Sequence, residues 1–477
     1  MFSCIGRAVN CVSSAASGLW TWLRIKRFRI AGVPILLVLG CPAGLLHPQS
    51  YDDLTANELY LRGNILLARK DYSHAIEYFN RALKKEPKSV PARLHRGLAW
   101  SLLGNNEKAR KDYVRFLELD PHLAEAHNEL GNLCYRQGDL EEAIKQYARA
   151  IELNPDAPEA YFNRALSQES RGEMRGVLED FDKAISRYPK YAEDLTSLQA
   201  VNPSLLAALV GRGLFYRKLG DLAHAQVDFE SALAMKKDYF EAAINLGIVL
   251  KERGDLERAL AYFDHAASLK PTSALPYVNR GTVLDKLGRV AAALSDYDKA
   301  AALEPGLVEI YLNRGIALMD MSRYDEAIDA FNRAIELRND CAPAYSNRGN
   351  AWMRFRNWDA ALKDFNRALS IDPDVHWGYF NRGLVFVELG ENERALADFS
   401  TAAKRTHDNA LAFLNRGLIF LRLGKMSDAQ TDFSHALRLR PDMKTYLSSR
   451  IEAAGKDLGT ESHPVPETAE VHPEEEF

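Results

Sequence analysis

The chain has 477 residues, of which 47% are apolar and 26% charged, and its formal net charge is −4. This balance is typical of a globular protein with a buried core, and it lacks the clustered cationic charge that nucleic acid binding requires. The five cysteines include no C-x-x-C pair, which excludes a zinc ribbon and a disulfide framework. We therefore expect no nucleic acid partner and no bound metal.

The first fifty residues contain basic residues but no acidic one. Four basic residues between Arg24 and Arg29 precede an apolar run over residues 30–39, and Cys41 follows. This order resembles a bacterial lipoprotein signal, which implies lipid attachment at Cys41, membrane anchoring and an extracytoplasmic location for the rest of the chain. The alternatives are a retained membrane helix over residues 30–46, shorter than the ~20 residues of a comfortable span, an organellar presequence, and a cytoplasmic protein.

From residue 56 onward the chain repeats itself with a period of 34, and eleven copies align with one interruption at residues 192–205. Position 8 of each copy is small, position 20 is Ala in ten copies, and position 24 is always Phe or Tyr. Small residues at positions 8 and 20 let two helices approach closely, and the ring at position 24 fills the space between them. Each copy therefore predicts a helical hairpin, and the hairpins must stack to bury their apolar faces.

These columns, with a late proline in eight copies, resemble the tetratricopeptide-repeat pattern of Leu-Gly, then Ala and Phe, then Pro. The resemblance covers residues 56–443 and implies an all-α fold: a right-handed superhelical solenoid of eleven tetratricopeptide helix-turn-helix repeats with a concave inner groove. Repeats 1–4 would span residues 56–191, and repeats 5–11 residues 206–443. The late prolines are Pro87, Pro121, Pro155, Pro189, Pro271, Pro305, Pro373 and Pro441.

Three further segments lie outside the repeats. Residues 192–205 are interpreted as an insertion that extends a helix and adds a short loop, with a regulatory hinge as the alternative. Residues 444–455 are expected to form a capping helix over the last repeat. Residues 456–477 are acidic and poor in large apolar side chains, so we expect them to be disordered.

The chain contains no sequence motif of an enzyme site. No H-E-x-x-H, Walker-type loop, G-x-S-x-G or G-x-G-x-x-G occurs, so we expect no catalysis, no cofactor and no small-molecule substrate. Tetratricopeptide domains that grip acidic C-termini resemble one another in a clamp of cations and asparagines. Asn350 and Asn381 match two of its places, but Ser346, Leu411 and Asn415 stand where cations are required, so no such clamp is predicted.

Position 7 is Arg in nine copies, and seven of these have Asp at position 23. The two copies with Leu at position 7 have no Asp at position 23, so the two positions vary together. We predict partly buried ion pairs between the two helices of one hairpin; the alternative is that both side chains reach solvent independently. The pairs are Arg96 with Asp112, Arg164 with Asp180, Arg212 with Asp228, Arg280 with Asp296, Arg348 with Asp364, Arg382 with Asp398 and Arg416 with Asp432.

Position 6 is Asn in seven copies, the last six of them consecutive. Stacking would place these side chains in one row, which resembles the asparagine ladder of tetratricopeptide superhelices that hold extended peptides. A carboxamide both donates to and accepts from a ligand backbone, and Trp377 and Phe380 at neighbouring positions would anchor apolar ligand side chains; a solvated row without function is the alternative. We call this set the asparagine row: Asn163, Asn245, Asn279, Asn313, Asn347, Asn381 and Asn415.

Taken together, these features indicate a non-enzymatic scaffold or adaptor, which binds extended peptides or partner proteins in a concave groove and is tethered at a membrane. Two alternatives stay open. One is a regulatory or assembly subunit of a separate enzyme, such as a transferase or an envelope-assembly machine. The other is a soluble adaptor similar to a co-chaperone.

Overall fold

The structure is a computed structural model that describes residues 54–188, 202–374, 376–405 and 409–457. Every regular element in these residues is a helix, and the helices form the eleven hairpins predicted from the period of 34, so the all-α repeat fold is confirmed. Among these helices none has the length and apolar character needed to cross a bilayer. The segment 1–50 with Cys41, residues 192–201 of the insertion and residues 458–477 of the acidic tail lie outside the described residues.

Each hairpin consists of a first helix, a short turn and a second helix. The first helices are α1 (Ala56–Ala68), α3 (Val90–Leu102), α5 (Ala124–Gln137), α7 (Pro158–Arg171), α9 (Pro203–Lys218), α11 (Phe240–Glu252), α13 (Leu275–Lys286), α15 (Val308–Asp320), α17 (Ala342–Arg354), α19 (His376–Glu388) and α21 (Ala410–Arg422). The second helices are α2 (Tyr72–Lys85), α4 (Asn106–Leu119), α6 (Leu140–Leu153), α8 (Val177–Arg187), α10 (Leu222–Met235), α12 (Leu256–Leu269), α14 (Val290–Leu303), α16 (Tyr324–Leu337), α18 (Trp358–Ile371), α20 (Asn392–Arg405) and α22 (Met426–Leu439). A last helix, α23 (Lys444–Asp457), follows a short 3-10 turn.

The turn between the two helices depends on a left-handed residue at position 15. This residue is Gly in eight repeats, with φ between 72° and 85°, because glycine has no Cβ to clash in that conformation. Ser322 and Arg356 hold the same position in repeats 8 and 9, with φ of 58° and 55°. The next residue caps the second helix in several repeats: in repeat 9 the Asn357 side chain accepts a hydrogen bond from the backbone N–H of Ala360.

The core of each hairpin explains the small residue at position 8 and the ring at position 24. In repeat 9 a Cβ added to Gly349 would lie 2.8 Å from Cε1 of Phe365, closer than van der Waals contact allows. Phe365 and Ala361 have no exposed surface. The two helices therefore approach to the distance that glycine and one aromatic ring permit.

The chain divides into two compact units, unit 1 (Met1–Leu269) and unit 2 (Lys270–Phe477). Unit 1 contains repeats 1–6, and unit 2 contains repeats 7–11 and α23. Within each unit, neighbouring hairpins pack against one another in chain order. The division falls after repeat 6, whereas the insertion follows repeat 4.

Repeats 4 and 5 depart from the regular hairpin. Helix α8 begins only at Val177, because Gly172 and Gly176 both take positive φ angles in the preceding turn. Beyond residues 189–201, the side chain of Asn202 caps α9, and Pro203 occupies its first position. The first helix of repeat 5 therefore begins inside the segment 192–205, which the period counts as an insertion.

Helix α23 packs on the end of unit 2. Its Leu447 is 4% exposed and lies in one apolar cluster with Leu414 and Leu418 of α21. A twelfth repeat would cover the same apolar surface, so α23 takes the place of a further first helix and keeps this surface from solvent.

Candidate peptide-binding face

The asparagine row lies on the first helices of the repeats. Within unit 2, each of α13, α15 and α17 contacts the next first helix in the chain. No pair of second helices in the described part of unit 2 has a contact of similar extent. The first helices therefore lie closer to one another along unit 2 than the second helices do.

Two members of the row in unit 2 join neighbouring repeats. The amide nitrogen of Asn381 donates to Oδ1 of Asn350 at 2.9 Å, and that of Asn313 donates to Oγ1 of Thr282 at 3.5 Å. Both acceptors stand at position 9 of the preceding repeat. The carboxamides are thereby oriented across the boundary between two first helices, along the direction in which the repeats stack.

The other members in unit 2 have different partners. Asn279 and Asn415 donate to the backbone carbonyl four residues earlier on their own helices, at 3.0 Å and 2.8 Å. Asn347 makes no hydrogen bond to any residue that the structure describes. All five asparagines of unit 2 are partly exposed, so their side chains stay accessible from the face that the first helices form.

The row is less accessible in unit 1. Asn163 and Asn245 are only 7% and 9% exposed, and Asn163 donates to Oδ1 of Asn128 at 3.0 Å. Between these two, repeat 5 has Gly211, where an added Cβ would lie 3.0 Å from the ring of Phe181. The row is therefore interrupted in unit 1, and its accessible part lies in unit 2.

The two aromatic residues chosen beside the row differ in accessibility. Trp377 is 37% exposed, whereas Phe380 is 4% exposed. The ring of Phe380 lies 5.7 Å from that of Phe399 on the second helix, and Trp377 meets it edge-on with a centroid distance of 6.1 Å. Phe380 is thus a core residue that supports Trp377, and Trp377 keeps the ring surface on which a ligand can pack.

All seven predicted Arg–Asp pairs are present, and the prediction of interhelical ion pairs is confirmed. In repeat 9, Nε of Arg348 donates to Oδ2 of Asp364 at 2.8 Å and Nη2 donates to Oδ1 at 2.7 Å. The hydrogen bond to Asp364 raises the pKa of the Arg348 guanidinium. In the seven pairs the Asp side chains are 3% to 8% exposed and the Arg side chains 19% to 26%, so the alternative of independent solvation is wrong.

A third contact of these arginines was not predicted. Nη1 of Arg348 donates to Oδ1 of Asn332 at 2.5 Å, and Asn332 stands at position 25 of the preceding repeat. The same contact joins Arg96 to Asn80, Arg212 to Asp182, Arg382 to Asn366 and Arg416 to Ser400. Position 25 carries a short polar side chain in each of these cases, a signal that appears only when columns are compared across a repeat boundary.

Repeat 8 shows what remains when the aspartate is missing. Ala330 stands at position 23 there, and Nε of Arg314 donates instead to Oδ1 of Asp298 at 2.8 Å. Asp298 belongs to position 25 of repeat 7 and is 62% exposed. The arginine of repeat 8 therefore keeps its link to the preceding repeat while the pair within its own hairpin is absent.

Two buried titratable groups among the described residues of unit 1 lie in apolar surroundings. Burial lowers the pKa of His95 to about 4, and its ring stacks on that of Tyr60 at 5.4 Å. Burial raises the pKa of the Cys134 thiol, which lies in an apolar cluster. Within the described ranges no three His, Cys, Asp or Glu side chains are grouped so that they could hold a metal ion.

Family models match most of the repeat region. Two models described as "Tetratricopeptide repeat" match the chain, one at residues 56–89 and the other at residues 210–274, 278–340, 312–376 and 380–444. The model described as "TPR repeat" matches residues 102–138 and 131–172. Together these matches cover more than half of the chain.

Curated relatives match shorter stretches. A small glutamine-rich tetratricopeptide repeat-containing protein 2 of Mycosarcoma maydis is 30% identical over 88 residues, which is 18% of this chain and 25% of the relative. The Hsp70-Hsp90 organizing protein of Triticum aestivum is 28% identical over 81 residues, 17% of this chain and 14% of the relative. The chain thus spans a quarter or less of the length of these relatives.

Two solved structures of tetratricopeptide repeat proteins are similar to part of this chain. A tetratricopeptide repeat protein from Parabacteroides merdae shares 22% identity, with 52% of this chain and 98% of that chain covered and a TM-score of 0.43. YrrB, described as a TPR protein with an unusual peptide-binding site, shares 25% identity, with 39% and 95% covered and a TM-score of 0.33.

Proposed function

Because the chain belongs to the tetratricopeptide-repeat family, we propose that it is a non-enzymatic scaffold, which binds an extended segment of a partner protein on the first helices of unit 2 and is tethered to a membrane by its N-terminal segment. The observation that carries the peptide-binding part is the asparagine row in unit 2. It places five partly exposed carboxamides at one position of five consecutive repeats.

The spacing of the row suits an extended chain. Packed helices lie about 8–10 Å apart, and an extended peptide advances about 3.3 Å per residue. One asparagine therefore meets about every third residue of a ligand. The closer approach of first helices in unit 2 supports a concave face on that side, where a ligand would be surrounded by the row and its neighbours.

The centre of the face lies at repeats 9 and 10. Asn347 has its whole hydrogen-bonding capacity available to a ligand, since no described residue bonds to its side chain, and Asn381 is held in place by Asn350 at 2.9 Å. A carboxamide donates to a peptide carbonyl and accepts from a peptide N–H whatever side chain the ligand residue carries. Trp377 adds an exposed ring on which an apolar or aromatic ligand side chain packs.

The ligand we propose is an uncharged stretch of chain and not an acidic C-terminus. The similarity to the Hsp70-Hsp90 organizing protein covers 17% of this chain. Ser346, Leu411 and Asn415 stand at the places where a clamp for acidic C-termini needs cations. A carboxylate bound there would lose water without gaining an ion pair, which is unfavourable.

The experiment has two stages. Proteins captured by the full chain are identified, and overlapping synthetic peptides from each are titrated against it. The variant with Asn347, Asn381 and Asn415 all changed to Ala should bind the active peptide at least tenfold more weakly while its helicity and melting stay nearly unchanged. A control with Asn106, Asn339 and Asn392 changed to Ala should bind like the parent. Equal binding by both variants would place the ligand on another surface.

The membrane attachment is proposed from residues 24–41, where a basic stretch, an apolar run and Cys41 follow one another. Lipidation at Cys41 would remove the first 40 residues, a loss of about 4 kDa from the precursor, and would leave the repeats outside the cytoplasm. Replacing Cys41 by Ala should then give a longer chain that is not processed. If the Cys41→Ala variant migrates and fractionates like the parent, lipidation is refuted, and a retained anchor, an organellar or a cytoplasmic location takes its place.

A further inference from the structure

Charge is distributed unevenly along the chain. Residues 54–123, which contain repeats 1 and 2, hold thirteen Lys and Arg against eight Asp and Glu, whereas the whole chain holds 61 against 65. The N-terminal end of the repeat array is therefore basic, as residues 1–50 are, and the chain after residue 123 is acidic. Such a separation of charge directs the basic end toward an anionic partner.

Most acidic side chains of repeats 1 and 2 are already engaged by local partners. Six of the eight have a hydrogen bond or ion pair within this segment, which reduces the attraction that they exert on other cations. The contacts are Glu58 with Thr55, Asp71 with His74, Glu77 with Arg81, Asp112 with Arg96, Glu118 with Arg115, and Asp120 with the backbone N–H of His122.

Several cations of the same segment remain exposed and form no ion pair with any described residue. They are Lys70, Lys84, Lys88, Lys108, Arg110 and Lys111. Lys108, Lys111 and Arg115 recur with helical spacing and share one face of α4. Val114, which is 42% exposed, lies on the same helix beside Lys111 and Arg115. The exposed surface therefore combines a small apolar side chain with ammonium groups that have no carboxylate partner. One of these, the ammonium of Lys108, lies 4.2 Å from the ring centre of Trp100.

We propose that the basic surface of repeats 1 and 2, on which Lys84, Lys88, Lys108, Lys111 and Val114 are exposed, binds the anionic headgroups of a lipid bilayer, and we call this surface the basic face. Lysines at a membrane surface are attracted to anionic headgroups when they come within a Debye length, about 8–10 Å at physiological salt. An exposed valine among them can enter the interfacial region at little cost.

The position of the face in the chain selects the occupant. Cys41, the proposed site of the lipid, precedes Leu54, the first described residue, by thirteen residues. These thirteen residues extend at most about 43–47 Å. A bilayer that held the lipid would therefore lie within reach of repeats 1 and 2.

This inference rests on the proposed membrane attachment, and vesicle binding by the full chain separates the two. Vesicles of phosphatidylcholine alone are compared with vesicles that contain about 30% phosphatidylglycerol, at salt concentrations of about 50 and 300 mM. Attachment through the N-terminal segment alone gives binding to both vesicles that is the same in every variant, including the preference for anionic lipid contributed by the basic residues between 24 and 29. The basic face adds binding that requires phosphatidylglycerol and weakens with salt.

Two matched variants test the assignment to the face. The test variant carries Lys84→Glu, Lys88→Glu and Lys111→Glu, and the control carries Lys237→Glu, Lys363→Glu and Lys404→Glu, with the same change in net charge. At low salt the parent and the control should prefer anionic over neutral vesicles by at least tenfold, and the test variant should lose most of this preference. Hydrogen exchange in α2 and α4 should slow on anionic vesicles for the parent and the control but not for the test variant.

Three results would overturn the proposal. The first is an equal preference for the two vesicles in the parent. The second is an equal loss of preference in the test and control variants, which would indicate net charge and not this face. The third is tighter binding to a single-stranded oligonucleotide than to anionic vesicles, lost in the test variant, which would make a nucleic acid the occupant.

Discussion

The guanidinium of Arg348 binds three side-chain oxygens at once: both carboxylate oxygens of Asp364 in its own hairpin and Oδ1 of Asn332 in the hairpin before it. Asp364 is 3% exposed, so its charge has little access to water. Removing one partner of such a pair leaves the other buried and uncompensated, whereas replacing both by apolar groups is often neutral.

The chain itself supplies an apolar replacement for this pair, since repeat 6 has Leu246 and Tyr262 at the two positions. Arg348→Leu or Asp364→Tyr alone should each lower the stability of repeat 9 by about 3 kcal/mol. The double variant should lie within about 1 kcal/mol of the parent. Hydrogen exchange of the amides in α17 and α18 measures the opening free energy. A double variant as unstable as the two single losses added together would contradict the prediction.

The buried His95 predicts a loss of stability in mild acid. Its pKa is about 4 in the folded chain and close to 6.5 when unfolded. Between pH 6.5 and pH 4 the unfolded chain binds a proton that the folded chain does not. The free energy of unfolding therefore decreases as the pH is lowered, by about 3 kcal/mol at pH 4. Urea unfolding of repeats 1 and 2 at several pH values should show this slope. His95→Phe should remove this part of the slope, and an unchanged slope would mean that other groups cause it.

The close contact between Gly349 and Phe365 predicts that one added methyl group lowers the stability of repeat 9. Gly349→Ala would place a Cβ 2.8 Å from the ring, and overpacking of this kind lowers stability by about 1–3 kcal/mol. Gly306 is the matched control, because an added Cβ there meets no atom within 4 Å. Thermal unfolding of the two variants should differ clearly. Equal melting temperatures would show that α17 and α18 can move apart to accommodate the methyl group without a loss of stability.

Arg356 predicts a gain in stability when a residue with positive φ is replaced by glycine. Its φ of 55° is a conformation that L-residues adopt at a cost and glycine adopts freely. Arg356→Gly should therefore stabilise repeat 9 by about 0.5–1 kcal/mol. Gly390→Ala in the equivalent turn of repeat 10, where φ is 74°, should destabilise that repeat by a similar amount. Opposite signs in the two melting shifts are expected, and shifts of the same sign would refute the argument.

Much of the fold follows from sequence because each repeat presents the same physical problem. The small residue at position 8 and the ring at position 24 predict the hairpin wherever they recur, as Gly349 and Phe365 show. The period alone does not give the first residue of α9, because Asn202 and Pro203 supply a local start signal that the period does not contain. A repeat pattern gives positions, but local capping decides where a helix begins.

The candidate face was predicted less completely. The period places Trp377 and Phe380 beside the asparagine row, but only the neighbouring ring of Phe399 reveals that Phe380 is covered. The pairs within hairpins were visible as correlated columns, whereas the contact from Arg348 to Asn332 crosses a repeat boundary. Burial and contacts between repeats depend on how hairpins stack, and a single hairpin sequence does not encode that alone.

The arginine contact has a consequence for how the protein can change in length. Repeats 8, 9 and 10 each present an arginine to the repeat before and a short polar side chain to the arginine of the repeat after. Deletion of residues 342–375, the whole of repeat 9, would set Arg382 against Asn332 in place of Asn366, an identical residue type. Duplication or deletion of a 34-residue repeat can therefore preserve the hydrogen bond between the arginine and the polar side chain at the new repeat boundary. The number of repeats, and with it the length of the proposed binding face, can change in evolution without loss of this contact.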